Sequence, residues 1–85
     1  MNEMSGPMIT IDEQLRKVIA EITALPANIS GSADLYADLG VASIKAIQLL
    51  MAIEERFEIS VPDDQFIEAT SVDSLARLIE RVKQC

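Results

Sequence analysis

The sequence predicts an all-α fold, a small helical bundle, and three observations carry that expectation. Apolar residues recur every three or four positions in several segments, the spacing of one helix face. Residues that favour sheets and tight turns are scarce: aromatics make up 4% of the 85 residues, with three Gly and three Pro. Capping residues and prolines then divide the chain at intervals suited to short helices. This length has room for one domain, whose core must be aliphatic and efficiently packed.

Taken in order, residues 1–9 lack the basic start and apolar run of a signal peptide. They read as a flexible N-terminal leader, which leaves 10–85 as the single domain. Thr10 and Glu13 have capping-box spacing for the first helix. Ile11, Leu15, Val18, Ile22 and Leu25 then fall within about 80° of one another at 100° per residue. Pro26 ends that helix near Ala24. The segment Ala27 to Ala42 holds Gly31, Gly40 and a Leu35-Tyr36-Leu39 cluster, and reads as a long ordered loop with room for one short helical turn. A connection this long in so small a domain is usually functional. A second helix spans about Ser43 to Phe57. A short third follows Pro62, with Asp63 and Asp64 in its first turn and Phe66 or Ile67 buried. The last starts near Thr70-Ser71 and places Val72, Leu75, Ile79 and Val82 on one face. Its bases Arg77, Arg81 and Lys83 lie toward the C-terminal end, where the helix dipole favours them. The expected architecture is three main helices plus one short helix, with the long loop after the first.

Charge and composition remove several function classes. The formal net charge is −7 with no histidine, which excludes imidazole chemistry and argues against nucleic-acid binding, since phosphate backbones are held by clustered Lys and Arg. Cys85 stands alone, so neither an intrachain disulfide nor a Cys-x-x-Cys metal knuckle can form. It reads as an exposed terminal thiol. The longest apolar run, Leu49 to Ile53, is too short for a membrane span, so the expectation is a soluble, cytoplasmic monomer. Ser43 and Lys45 do not make a catalytic pair, because residues two apart on a helix point in different directions. Asp63, Asp64 and Glu68 lack the glycine and alternating oxygen ligands of a calcium loop and read as a solvated acidic turn. Neither catalysis nor a metal site is expected.

The second helix carries more apolar surface than a bundle needs. With Ile44 at 0°, Ala46, Leu49, Leu50, Ile53 and Phe57 fall between about 140° and 240°, a complete core stripe. Ile44, Ile47 and Met51 fall between about 300° and 360°, a second stripe. Either the helix is central and touches neighbours on both sides, or the second stripe is a surface kept for partners. A flexible thioether such as Met51 suits the latter. The helix segment itself balances two bases against two acids, whereas residues 58–71 hold four acids and no base.

Ser43 opens this helix, and its ordinary role would be an N-cap. Position 46 is Ala, however, so the capping box is incomplete. A phosphate on the hydroxyl would meet unpaired amides and the positive end of the dipole.

The run Asp38-Leu39-Gly40-Val41-Ala42-Ser43-Ile44, followed by a helix ending Glu54-Glu55-Arg56-Phe57 and by Ile59-Ser60-Val61-Pro62-Asp63-Asp64, resembles the acyl carrier protein family. The resemblance extends over residues 10–83. It implies an acyl-carrier-like four-helix bundle whose Ser43 takes 4'-phosphopantetheine through a phosphodiester bond, and whose arm holds acyl groups as thioesters. It also implies a stand-alone, non-catalytic carrier serving a specialised fatty-acid or polyketide-type pathway. The partners would be a phosphopantetheinyl transferase, an acyl or aminoacyl ligase or acyltransferase, and downstream synthase or transferase enzymes. Asp38 and Leu39 would shape the loop before the serine. Ile44, Ile47 and Met51 would form the docking face, with Lys45 and Gln48 tuning partner choice. Two departures stand out. Ala42 replaces the family's common Asp before the serine, which bears on which transferase accepts the chain. Lys45 and Gln48 stand where fatty-acid carriers usually have acids, and Ser43-Ile44-Lys45-Ala46-Ile47-Gln48 is similar to peptidyl and some polyketide carriers. An aminoacyl or peptidyl carrier is therefore an alternative, and an unmodified helical adaptor is another.

Overall fold

The computed structural model describes residues 10–84; the leader at 1–9 and Cys85 lie outside the described residues. Four helices follow one another: α1 (Ile11–Thr23), α2 (Ile44–Phe57), α3 (Asp63–Glu68) and α4 (Val72–Gln84). Each begins and ends for a local reason. Thr10 caps α1 through the Glu13 amide (3.1 Å), and the Glu13 carboxylate accepts the Thr10 N–H in return (3.1 Å). At its other end Ala24 turns left-handed (φ 65°) before Pro26. Glu58 does the same for α2 (φ 57°). The Glu54 side chain then accepts the Val61 N–H (2.9 Å) and fixes the path toward α3. Ser71 and Ser74 exchange amide-to-hydroxyl bonds at the head of α4 (2.9 and 3.2 Å).

The first helix is the spine: α1 packs against both α2 and α4, and α3 packs on α4. Leu15, Val18 and Ile19 of α1 meet Leu49, Ile53 and Phe57 of α2 and Val72, Leu75, Leu78 and Ile79 of α4 in one largely aliphatic core. Among the described residues no polar or charged side chain is fully buried. Two residues, Ile19 and Leu78, lie outside the stripes anticipated for their helices yet are 1% and 2% exposed. Helices that touch two neighbours need a wider apolar face than one stripe supplies. Of the two residues that α3 offered to the core, Phe66 is buried and Ile67 is exposed.

The long loop is tied down at both ends. Arg16 on α1 pairs with Asp12 (2.8 Å) and donates to the carbonyls of Ala27 (2.8 Å) and Ile29 (2.5 Å). Farther on, the Asp73 N–H donates to the Gly31 carbonyl (3.0 Å), and a Cβ on Gly31 would meet the Asp73 carboxylate, which would have to turn aside. Leu35, fully buried, plugs the loop into the core while its N–H donates to the Thr70 carbonyl (2.7 Å).

Candidate functional site

Between Asp34 and Val41 the chain closes on itself. The Asp34 carboxylate accepts the N–H groups of Tyr36 and Ala37, both at 2.8 Å. Its carbonyl accepts those of Asp38 (2.9 Å) and Leu39 (3.1 Å), and its own N–H donates to the Asp38 carboxylate (2.9 Å). The Val41 N–H returns to the Leu35 carbonyl (2.9 Å). Those bonds hold the Asp34 carboxyl below the usual carboxylate range, first through the Ala37 amide, then the Thr70 side chain and the Tyr36 amide. Partial burial, and behind it the Asp34 charge, raises the Tyr36 hydroxyl above its ordinary value. Gly40 closes this knot at φ +75°, a conformation that glycine adopts without strain.

Ser43 follows and is exposed, as is Ala42 before it. Its backbone is already helical (φ −62°, ψ −26°), unlike the extended backbone of an ordinary N-cap, and its hydroxyl makes no capping bond. The first-turn amides are only partly unpaired, contrary to the sequence-based expectation. The Lys45 N–H donates to the Ala42 carbonyl (2.9 Å) and the Ala46 N–H to that of Ser43 (3.0 Å), tightening the turn. What remains for an anion is the positive end of the dipole, a first turn without acids, and Lys45. A phosphodiester on Ser43 Oγ fits here, because the hydroxyl is exposed and not committed to a cap.

The other anticipated residues fall into two places. Ile44, Ile47 and Met51 lie on one outward face of α2, at 71%, 66% and 64% exposed, so among the described residues no helix buries this stripe. Gln48 is exposed and Lys45 half-buried on the same helix. Asp38 and Leu39 lie in the knotted loop, where Asp38 holds the Asp34 amide and Leu39 leans on the core. Asp34, which makes most of the bonds in that knot, was not anticipated. The only trace it leaves in the sequence is an Asp placed two and three residues before the amides it accepts.

A groove of about 370 Å³ opens between α2 and α3. Ala46, Ile47, Leu50, Phe66 and Ile67 line it, with Asp63 its one charged residue. Its first α2 residue stands three positions after Ser43, about 4.5 Å along the helix axis. Among the described residues no group of three or more Cys, Asp or Glu could hold a metal ion, and no helix is long and apolar enough to cross a membrane.

Comparison with known proteins gives two findings. A family model described as the phosphopantetheine attachment site matches residues 13–79. Among solved structures, the chain is similar to one in the crystal structure of an engineered Bradyrhizobium japonicum glycine:carrier protein ligase complexed with a carrier protein from Agrobacterium tumefaciens and ATP. The two share 27% identity at a TM-score of 0.74, over 85% of this chain and 99% of that one.

Proposed function

The chain belongs to the family defined by the phosphopantetheine attachment site, and from that premise we propose that Ser43 is the attachment residue of a carrier domain whose cargo is aminoacyl. The covalent group of this family is 4'-phosphopantetheine. The observation that carries the residue assignment is the exposed Ser43 hydroxyl, without a capping bond, at the head of α2. Among the described residues Ser30 bonds Ser32 (3.2 Å) and Ser71 bonds Ser74 (2.9 Å), whereas Ser60 is exposed like Ser43 but follows α2 and does not open a helix. In the transfer, Ser43 Oγ attacks the phosphorus of coenzyme A that bears the pantetheine. The pyrophosphate bond breaks, adenosine 3',5'-bisphosphate leaves, and the hydroxyl proton passes to a base of the transferase. The attached group supplies a terminal thiol that holds cargo as a thioester. The chain's own residues present that cargo and do no catalysis: the loop knot and α2 fix where the arm begins, and Ile44, Ile47 and Met51 offer an apolar surface to a transferase, a ligase and the enzymes that receive the cargo.

Aminoacyl cargo is supported by the 27% likeness to a carrier crystallised with a glycine ligase. The Ser43-Ile44-Lys45-Ala46-Ile47-Gln48 run supports it as well. A second reading, acyl cargo of a fatty-acid or polyketide type, is favoured by the apolar groove that starts one turn beyond Ser43. Intact-mass measurement after incubation with coenzyme A and a broad-specificity transferase tests the site. The wild type gains about 340 Da, the mass of the arm, and Ser43→Ala gains nothing. No gain in the wild type with several transferases would defeat the assignment. Holo protein is then offered glycine and other amino acids with amino-acid ligases, and fatty acids with acyl ligases. Loading by the second set alone would replace the aminoacyl reading with the acyl one.

A further inference from the structure

The Ser43 hydroxyl makes no capping bond of its own, so its position is set by the backbone on either side. Downstream, that backbone is α2. Upstream it is the segment 34–41, and Asp34 makes most of the bonds that close it, through its carboxylate, carbonyl and amide. From that closure only Ala42 separates Val41 from Ser43. The neighbouring Leu35 anchors the same segment to the core and to the Thr70 carbonyl.

We infer that Asp34 is a positioning residue for transfer of the arm to Ser43: by holding the Tyr36 and Ala37 amides it fixes the segment that aims the hydroxyl. The inference rests on Ser43 being the attachment residue. It concerns reaction geometry and leaves docking untouched, since the exposed α2 stripe that a transferase would grip does not depend on the Asp34 bonds. Misplacing a nucleophile slows the chemical step, whereas lost docking raises KM.

Transferase kinetics on apo protein test this. Asp34→Ala is expected to lower kcat about fivefold with KM unchanged and the helical signal retained, the size set by one lost cap. Asp34→Asn, whose amide oxygen can accept the same two bonds, stays near wild type. Asp34→Glu keeps the charge but caps poorly, and is slow like the alanine variant. Thr10→Ala removes a cap of similar strength at the head of α1 and leaves kcat unchanged, which separates positioning from general loss of stability. Wild-type kcat in Asp34→Ala, a change confined to KM, or an equal loss in Thr10→Ala would overturn the inference. If Asp34→Ala does not fold, the Asn and Glu variants decide it: equal rates in the two contradict it. Failure of the wild type to gain an arm would instead strike the Ser43 assignment.

Discussion

The two faces of α2 are built from the same kinds of side chain and have opposite fates. Leu49, Ile53 and Phe57 are at most 7% exposed, whereas Ile44, Ile47 and Met51 on the same helix are 64–71% exposed. The difference comes from the neighbours. On the inner side α1 runs alongside and covers the stripe. On the outer side no helix of the described residues covers Ile44 and Met51, and the six-residue α3 leaves a groove beside Ile47. Hydrophobicity drives burial only where the chain supplies a partner surface. The result is an apolar stripe left uncovered beside the exposed Ser43 hydroxyl.

Substitutions on the two faces sharpen the contrast. The largest effect is expected inside. Leu49→Ala removes a fully buried side chain and should destabilise the domain by about 2–5 kcal/mol in chemical denaturation, with a cavity left behind. A loss under about 1 kcal/mol would mean that the inner stripe is loosely packed. On the outer face Met51→Glu should leave stability within about 0.5 kcal/mol of wild type and circular dichroism unchanged. It should also raise the KM of a loading ligase about tenfold, the effect of about 1.4 kcal/mol of docking energy. Unfolding of this variant would assign Met51 to the core and erase the distinction between the faces. The smallest effect concerns the loop that leads into the helix. The Asp34 carboxyl is held below the ordinary carboxylate value in the folded protein, so its contribution to stability is fully present above that ordinary value and fades as pH falls through the lowered one. Denaturation of wild type and Asp34→Asn at about pH 5 and about pH 3 should show the wild-type advantage shrinking at the lower pH. An advantage that grows with acid would contradict the bonding described for that carboxylate.

Much of this was legible in the sequence because it is local. The Thr10–Glu13 capping box, the stop before Pro26 and the acid-rich start after Pro62 each depend on residues a few positions apart, and the helices stand within a residue or two of their expected ends. The double stripe of α2 was legible for the same reason, although whether the second stripe met a neighbouring helix or faced water depended on tertiary contacts. Ile19 and Leu78 were missed because their burial depends on second neighbours that no periodicity reveals. Phe66 and Ile67 could be separated only once α3 had a fixed rotation on α4. At the site, the serine and its motif were visible while the groove was not, since its walls come from two helices. Asp34 was hidden differently: an aspartate that folds a loop has no spacing to distinguish it from one that merely faces solvent.

The central claim is that Ser43 carries the arm, and mapping the modification tests it most directly. Trypsin should release Val18 to Lys45 as one peptide containing Ser30, Ser32 and Ser43. Fragmentation of that peptide from transferase-treated protein should place the whole gain of about 340 Da on Ser43, with Ser30 and Ser32 unmodified. A gain located on either of those serines, or on a different peptide, would contradict the account.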